Sequence, residues 1–138
     1  MSEKINSILV LGLGKVGSLV ATLLHETGFT EVEVAEDGER AWSMIWEGYL
    51  SQKPYELVIS DVMMPKLSGL ELLKKVRTTP ETKEIAFIII SADIHSDKVR
   101  EAIEAGCSQY ITKPFNSSTL IDKMKAAHLV HQAKRIKY

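Results

Sequence analysis

LVISDVMMPKLSG, residues 57–69, is the stretch from which the fold is read. Four apolar or small residues run into Asp61, and turn residues follow at Met64-Pro65 and Gly69. A short apolar run closed by turn residues reads as a buried strand, with Asp61 at its carboxyl end. Open α/β sheets form ligand sites at that end of their strands. A carboxylate offered from a rigid strand end is a competent nucleophile for a phosphoryl group. The plainer reading makes Asp61 a cap for the turn that follows, and this stretch alone does not separate the two.

Working outward, the same grammar recurs along the chain. Ile8 to Leu11 is apolar throughout and ends at a glycine, as a strand buried on both faces would. Val16, Leu19, Val20, Leu23 and Leu24 repeat at helical spacing up to Gly28. Glu31 to Ala35 alternates, which predicts a half-exposed edge strand. Asp37-Gly38 opens a second helix with Ala41, Trp42 and Ile45 inward, running to about Leu50 before Pro54. Leu70, Leu73 and Val76 mark a third helix. Ala86 to Ser91 is the most apolar, β-branched run and predicts a central strand. Ser96 to Ala105 is a fourth helix, with Val99, Ala102 and Ile103 inward. Tyr110 to Thr112 is a last short strand. A fifth helix starts at Asn116 or Ser117, with Leu120, Ile121 and Met124 inward. Five strands alternating with five helices require right-handed crossovers and a parallel sheet covered on both faces, an α/β doubly wound fold.

Composition agrees with one ordinary domain. The 138 residues are 45% hydrophobic and 25% charged, with a net charge of −1. Nothing global recruits nucleic acid or a membrane surface. Lys123, Lys125, Lys134, Arg135 and Lys137 gather near the end as a solvated helix face. One cysteine, Cys107, rules out an internal disulfide and suits a cytoplasmic setting. Residues 1–128 read as the domain and 129–138 as a basic helical extension or tail.

Asp61, Ser91 and Lys113 each follow the apolar run of a different strand, so all three should meet on one rim of the sheet. There a carboxylate accepts a phosphoryl group, a hydroxyl bonds one of its oxygens, and an ammonium neutralises its charge. A cis bond between Lys113 and Pro114 would aim the lysine inward. With AEDGERA (35–41), SDVMMPKLSGLELL (60–73), IIISA (88–92) and ITKPF (111–115), the chain resembles the receiver domain of two-component response regulators, close in size to the free-standing chemotaxis type. The resemblance implies a flavodoxin-like sheet of order 2-1-3-4-5. It implies Asp61 as phosphoacceptor, Ser91 as switch hydroxyl, Lys113 as the site lysine and Tyr110 as the switch aromatic. It also implies a sensor histidine kinase or phosphotransfer protein as donor. A downstream protein would then dock on the face of the fourth helix, last strand and fifth helix. Receivers are signalling proteins, not enzymes with a diffusible substrate.

The chain departs from that pattern after its first strand. Receivers carry an acidic pair there that binds Mg²⁺; here Leu11-Gly12 stands in its place. Only Asp61 and the carbonyl of Met63 remain as metal donors, which predicts a weak or absent Mg²⁺ site. Gly12-Leu13-Gly14-Lys15-Val16-Gly17 is instead a complete G-x-G-x-x-G between strand and helix, with Glu33 and Glu36 downstream. Three readings follow: a tight turn only, a dinucleotide-binding loop, or an anion loop of Gly12, Gly14, Lys15 and Gly17 that holds a phosphate oxyanion or lets Lys15 replace the missing metal charge. A pseudo-receiver that takes no phosphoryl group is the further alternative. Trp46, Met44 and Tyr49 lie off the predicted core face and are expected to pack under the long loop before Tyr55, or else to form an exposed patch. His25, His95, His128 and His131 show no ligand-like companions. Cys107 is expected to be buried and unreactive.

Overall fold

The computed structural model describes residues 5–11, 15–29, 31–61, 68–92 and 96–136. In order they form β1 (Ser7–Leu11), α1 (Lys15–Glu26), β2 (Glu31–Ala35), α2 (Gly38–Leu50), β3 (Leu57–Asp61), α3 (Gly69–Thr78), β4 (Ala86–Ser91), α4 (Ser96–Ala105), β5 (Gln109–Thr112) and α5 (Ser117–Ile136). The strands make one parallel sheet in the order β2-β1-β3-β4-β5. This is the order the family resemblance implied, with Glu31–Ala35 on the edge.

Successive side chains of a strand face opposite ways, so the continuous apolar runs build two cores. Ile8, Val10, Leu57, Ile59, Ile88 and Ile90 pack with Val20 and Leu24 of α1 and Leu120 and Met124 of α5. Leu9, Leu11, Val58, Phe87 and Ile89 pack with residues of α2, α3 and α4. Helix ends follow their local chemistry. Gly28 sits at φ 106°, and Asp37 caps α2 by accepting the Arg40 N–H at 2.8 Å. Asn116, not Ser117, caps α5, accepting the Thr119 N–H at 2.8 Å.

Inward faces differ from the periodicity in α2, α3 and α4, and in α5 Ile121 is half-buried outside the core that Leu120 and Met124 join. In α2 the buried stripe is Ala41, Met44 and Ile45, at i, i+3 and i+4. Trp42 lies a hundred degrees to one side of Ala41 and is half-buried, so Met44 takes the core position expected for it. Trp42, Trp46 and Tyr49 instead stack along the helix, with ring centroids 6.2 and 5.4 Å apart, and Lys75 lies 5.0 Å over Trp42. In α3, Leu72 is fully buried and Leu70 only flanks the core. In α4 the contact is made by Ala102, with Ala105 beside it, which turns Ile103 outward to 59% exposure. Helix α5 continues past Leu129 without a break to Ile136, and His128 and His131 are buried at its far end.

Candidate functional site at the carboxyl edge of the sheet

Asp61 closes β3 at the end of the apolar run Leu57–Ile59. Ser60, fully buried, donates its hydroxyl to the Asp61 carbonyl at 2.7 Å. The start of α3 lies against this strand end. A Cβ at Gly69 would lie 2.0 Å from the Asp61 carbonyl oxygen and 2.7 Å from Ser60 Oγ, so only glycine allows the approach. Ser68 and Glu71 form a reciprocal capping box that fixes the same helix end.

Lys113 reaches this point from β5. Its backbone N–H donates to the Ser91 carbonyl at 2.9 Å, which ties the turn after β5 to the end of β4. The Lys113-Pro114 peptide is cis. The Lys113 ammonium donates to Asp61 Oδ2 at 2.8 Å, with the two side chains 30% and 15% exposed. This pair is partly buried, so salt does not fully screen it, and partly open to solvent. Ser91, 3% exposed, lies one position beyond Ile90, the β4 residue in register with Asp61. Tyr110 is half-buried and lines a cleft with Phe115, Asn116, Thr119 and Lys123 between β5 and α5.

The first two members of the glycine loop, Gly12 and Gly14, and the Met63 carbonyl lie outside the described residues. Lys15 and Gly17 belong to the first turn of α1. The donor set does not fit a dedicated Mg²⁺ site. Mg²⁺ needs several hard oxygen ligands, and β1 ends in Leu11, which is fully buried among apolar side chains. Among the described residues no group of three His, Cys, Asp or Glu side chains could hold a metal ion.

The periodicity missed the polar residues at the opposite pole of the sheet. Arg77 donates to the carbonyls of Gly106 at 2.9 Å, Lys83 at 2.9 Å and Ile85 at 2.6 Å. Burial pulls its guanidinium below the usual range, against the opposing charge of Glu84. His131 lies 2.7 Å from Ser108 Oγ and 3.4 Å from Glu84, and His128 lies 3.9 Å from Glu56. The stripe Leu120, Met124, Ala127, His131 keeps helical spacing, and that regularity was the available signal. Cys107 is half-buried, and burial pushes its thiol up.

Comparison with known proteins gives the same answer as the fold. Residues 15–125 match the response regulator receiver domain. A Rhizobium etli protein named probable chemotaxis protein CheY is 36% identical over 127 residues, covering 92% of each chain. Chemotaxis protein CheY-3 of Vibrio cholerae is 30% identical over 124 residues, covering 90% of this chain and 92% of that one. The crystal structure of a putative response regulator from Chloroflexus aurantiacus superposes with a TM-score of 0.81 at 27% identity, over 91% of this chain and 99% of that one. With the family matched over most of its length and the sheet order shared, the chain belongs to the response regulator receiver family of two-component signal transduction.

Proposed function

We propose that Asp61 is the phosphoacceptor of this receiver and that it works without a dedicated Mg²⁺ site. The observation that carries the reading is the 2.8 Å contact between the Lys113 ammonium and Asp61 Oδ2 at the carboxyl edge. The Asp61 carboxylate attacks phosphorus, and the bond from phosphorus to the donor breaks with its electron pair leaving on the donor. An acyl phosphate remains on Asp61. The Lys113 cation offsets the charge gathered there, and in this reading Ser91 supplies the hydroxyl that bonds a phosphoryl oxygen. Lys113 is thereby the positive charge left beside Asp61 where other receivers also hold a metal ion on an acidic pair.

The donor is a histidine kinase or phosphotransfer protein, and the protein works in the cytoplasm. No helix among the described residues is long and apolar enough to cross a membrane. The output is a protein contact on the α4–β5–α5 face, where Tyr110 lines the cleft and Ile103 is exposed. No described observation favours nucleotide binding by the glycine loop.

The test is intact-mass measurement after incubation with acetyl phosphate, with Mg²⁺ and with EDTA. One phosphoryl adduct is expected on the wild type in both, and none on Asp61→Asn. An adduct that persists in Asp61→Asn overturns the assignment of the acceptor. No adduct on the wild type makes the protein a phosphorylation-independent interaction module. An adduct that requires Mg²⁺ overturns the metal-free reading alone.

A further inference from the structure

The far end of α5 docks on the sheet at the pole opposite Asp61, beyond residue 125 where the family match ends. Two histidines make that contact. His128 is 1% exposed, with Nδ1 3.9 Å from Glu56 Oε2. Glu56 in turn accepts the Asn6 N–H at 3.0 Å, and its backbone bridges to β1 and β4 through Ser7 and Ala86. His131 is 5% exposed and lies between Ser108 Oγ and Glu84 Oε1.

The hydrogen-bond arithmetic at Ser108 fixes the state of His131. A serine hydroxyl has one hydrogen to give and two lone pairs. Ser108 Oγ accepts the Phe87 N–H at 3.0 Å and an Arg77 Nη2–H at a long 3.4 Å, which uses both lone pairs. Its own hydrogen must therefore go to His131 Nε2 at 2.7 Å. Nε2 is then an acceptor, the ring is neutral, and the ring proton sits on Nδ1, facing Glu84 Oε1 at 3.4 Å. Donors run from serine to histidine to glutamate, in the direction of a hydrolase relay. Yet with both lone pairs engaged, the serine oxygen has none left to attack a carbonyl. The arrangement is a lock, not a nucleophile.

A second proton on His131 cannot enter without breaking this lock. Nε2–H would become a third donor aimed at Ser108 Oγ and would strand the serine hydrogen. It would also place a cation beside Arg77. Among the described residues, Arg77, Lys83, Glu84 and Cys107 line the same cleft as His131, and Glu56 faces His128. Of these, Glu84 alone favours the charged ring at His131, and its oxygen already faces Nδ1. We propose that the last turns of α5 are held by a proton-sensitive clasp: they dock with His131 neutral and detach when it is protonated. Because α5 also forms part of the output face, acidification reaches that face from behind, with no involvement of Asp61.

The test is hydrogen exchange by mass spectrometry on the full chain at pH 7.5 and 5.5, corrected for the intrinsic pH dependence of exchange. Free imidazole titrates near 6.5, so one linked proton raises opening by about tenfold across that interval. Residues 127–136 of the wild type are expected to lose about tenfold protection, while β3 and β4 keep theirs. His131→Gln offers an acceptor and a donor without titrating, and should lose less than twofold. Equal wild-type protection at both pH values, or an equal loss in His131→Gln, overturns the clasp. ¹⁵N chemical shifts of the wild-type imidazoles at pH 7.5 give an independent check that needs no variant. Neutral His131 protonated at Nδ1 is expected; the other tautomer, or the charged ring, overturns the proposal.

Discussion

Asp61 and Lys113 lie 52 positions apart in sequence and meet at 2.8 Å, and their separate costs should differ. In the reaction proposed for Asp61, Lys113→Ala removes the charge that faces the developing acyl phosphate. We expect adduct formation from acetyl phosphate to slow by at least about tenfold, since a charge-assisted contact of this kind is worth about 1.5–3 kcal/mol. Time-resolved intact-mass measurement checks it. Gly69 is constrained differently, because the atom a side chain would strike is backbone. Gly69→Ala is expected to cost about 3 kcal/mol or more in urea denaturation, since the Asp61 carbonyl must move. The strand-end positions of Asp61, Ser91 and Lys113 were legible because strand ends are marked by where apolar runs stop. The Gly69 constraint was not: it arises from a helix meeting a strand end, and the sequence showed only a turn glycine.

At the scale of elements, α3 is tied to the strands beside it by one side chain. Arg77 serves three carbonyls from two loops with a geometry an ammonium cannot copy. Arg77→Ala should destabilise by about 2–4 kcal/mol in urea denaturation, and Arg77→Lys should recover less than half of that. Helix periods were readable for Val20 and Leu24 of α1 and for Leu120 and Met124 of α5, but not for Ile121, which is half-buried outside the core. They failed in part for α2, α3 and α4, and in α4 a small residue makes the closest contact. Ala102 sets the rotation of α4, and a periodicity count gives an alanine less weight than Ile103 beside it. In α2 the error exchanged neighbours: Trp42 is the larger apolar residue, yet Met44 completes the i, i+3, i+4 stripe with Ala41 and Ile45. The docking of His131 was hidden because histidine is polar, although its position continued the apolar stripe.

For the whole molecule, strand existence and sequence order were legible from apolar runs, whereas spatial order came from the family resemblance alone. Nothing in local periodicity says that β1 lies between β2 and β3. The edge placement of β2 followed from its alternation, and it has a measurable consequence in alkali. Tyr55, 6% exposed, donates to Glu33 Oε1 of β2 at 2.7 Å. Burial first, and then the Glu33 carboxylate, push the Tyr55 hydroxyl well above the ordinary tyrosine value. A raised folded-state value means the unfolded chain releases this proton first. The contribution is therefore intact below about pH 10 and is lost progressively above it. Thermal melts from pH 9 to 11 should show a steeper fall for the wild type than for Tyr55→Phe.

That edge strand also bears on how two copies of the chain would meet. Along one side β2 has no neighbouring strand among the described residues, and Val34 at 45% exposure is the apolar foothold a second chain would seek. Glu31 and Glu33, both exposed on the same short strand, would face their own likenesses if two such borders were laid together. Mutual repulsion of carboxylates thus opposes the pairing of two such borders.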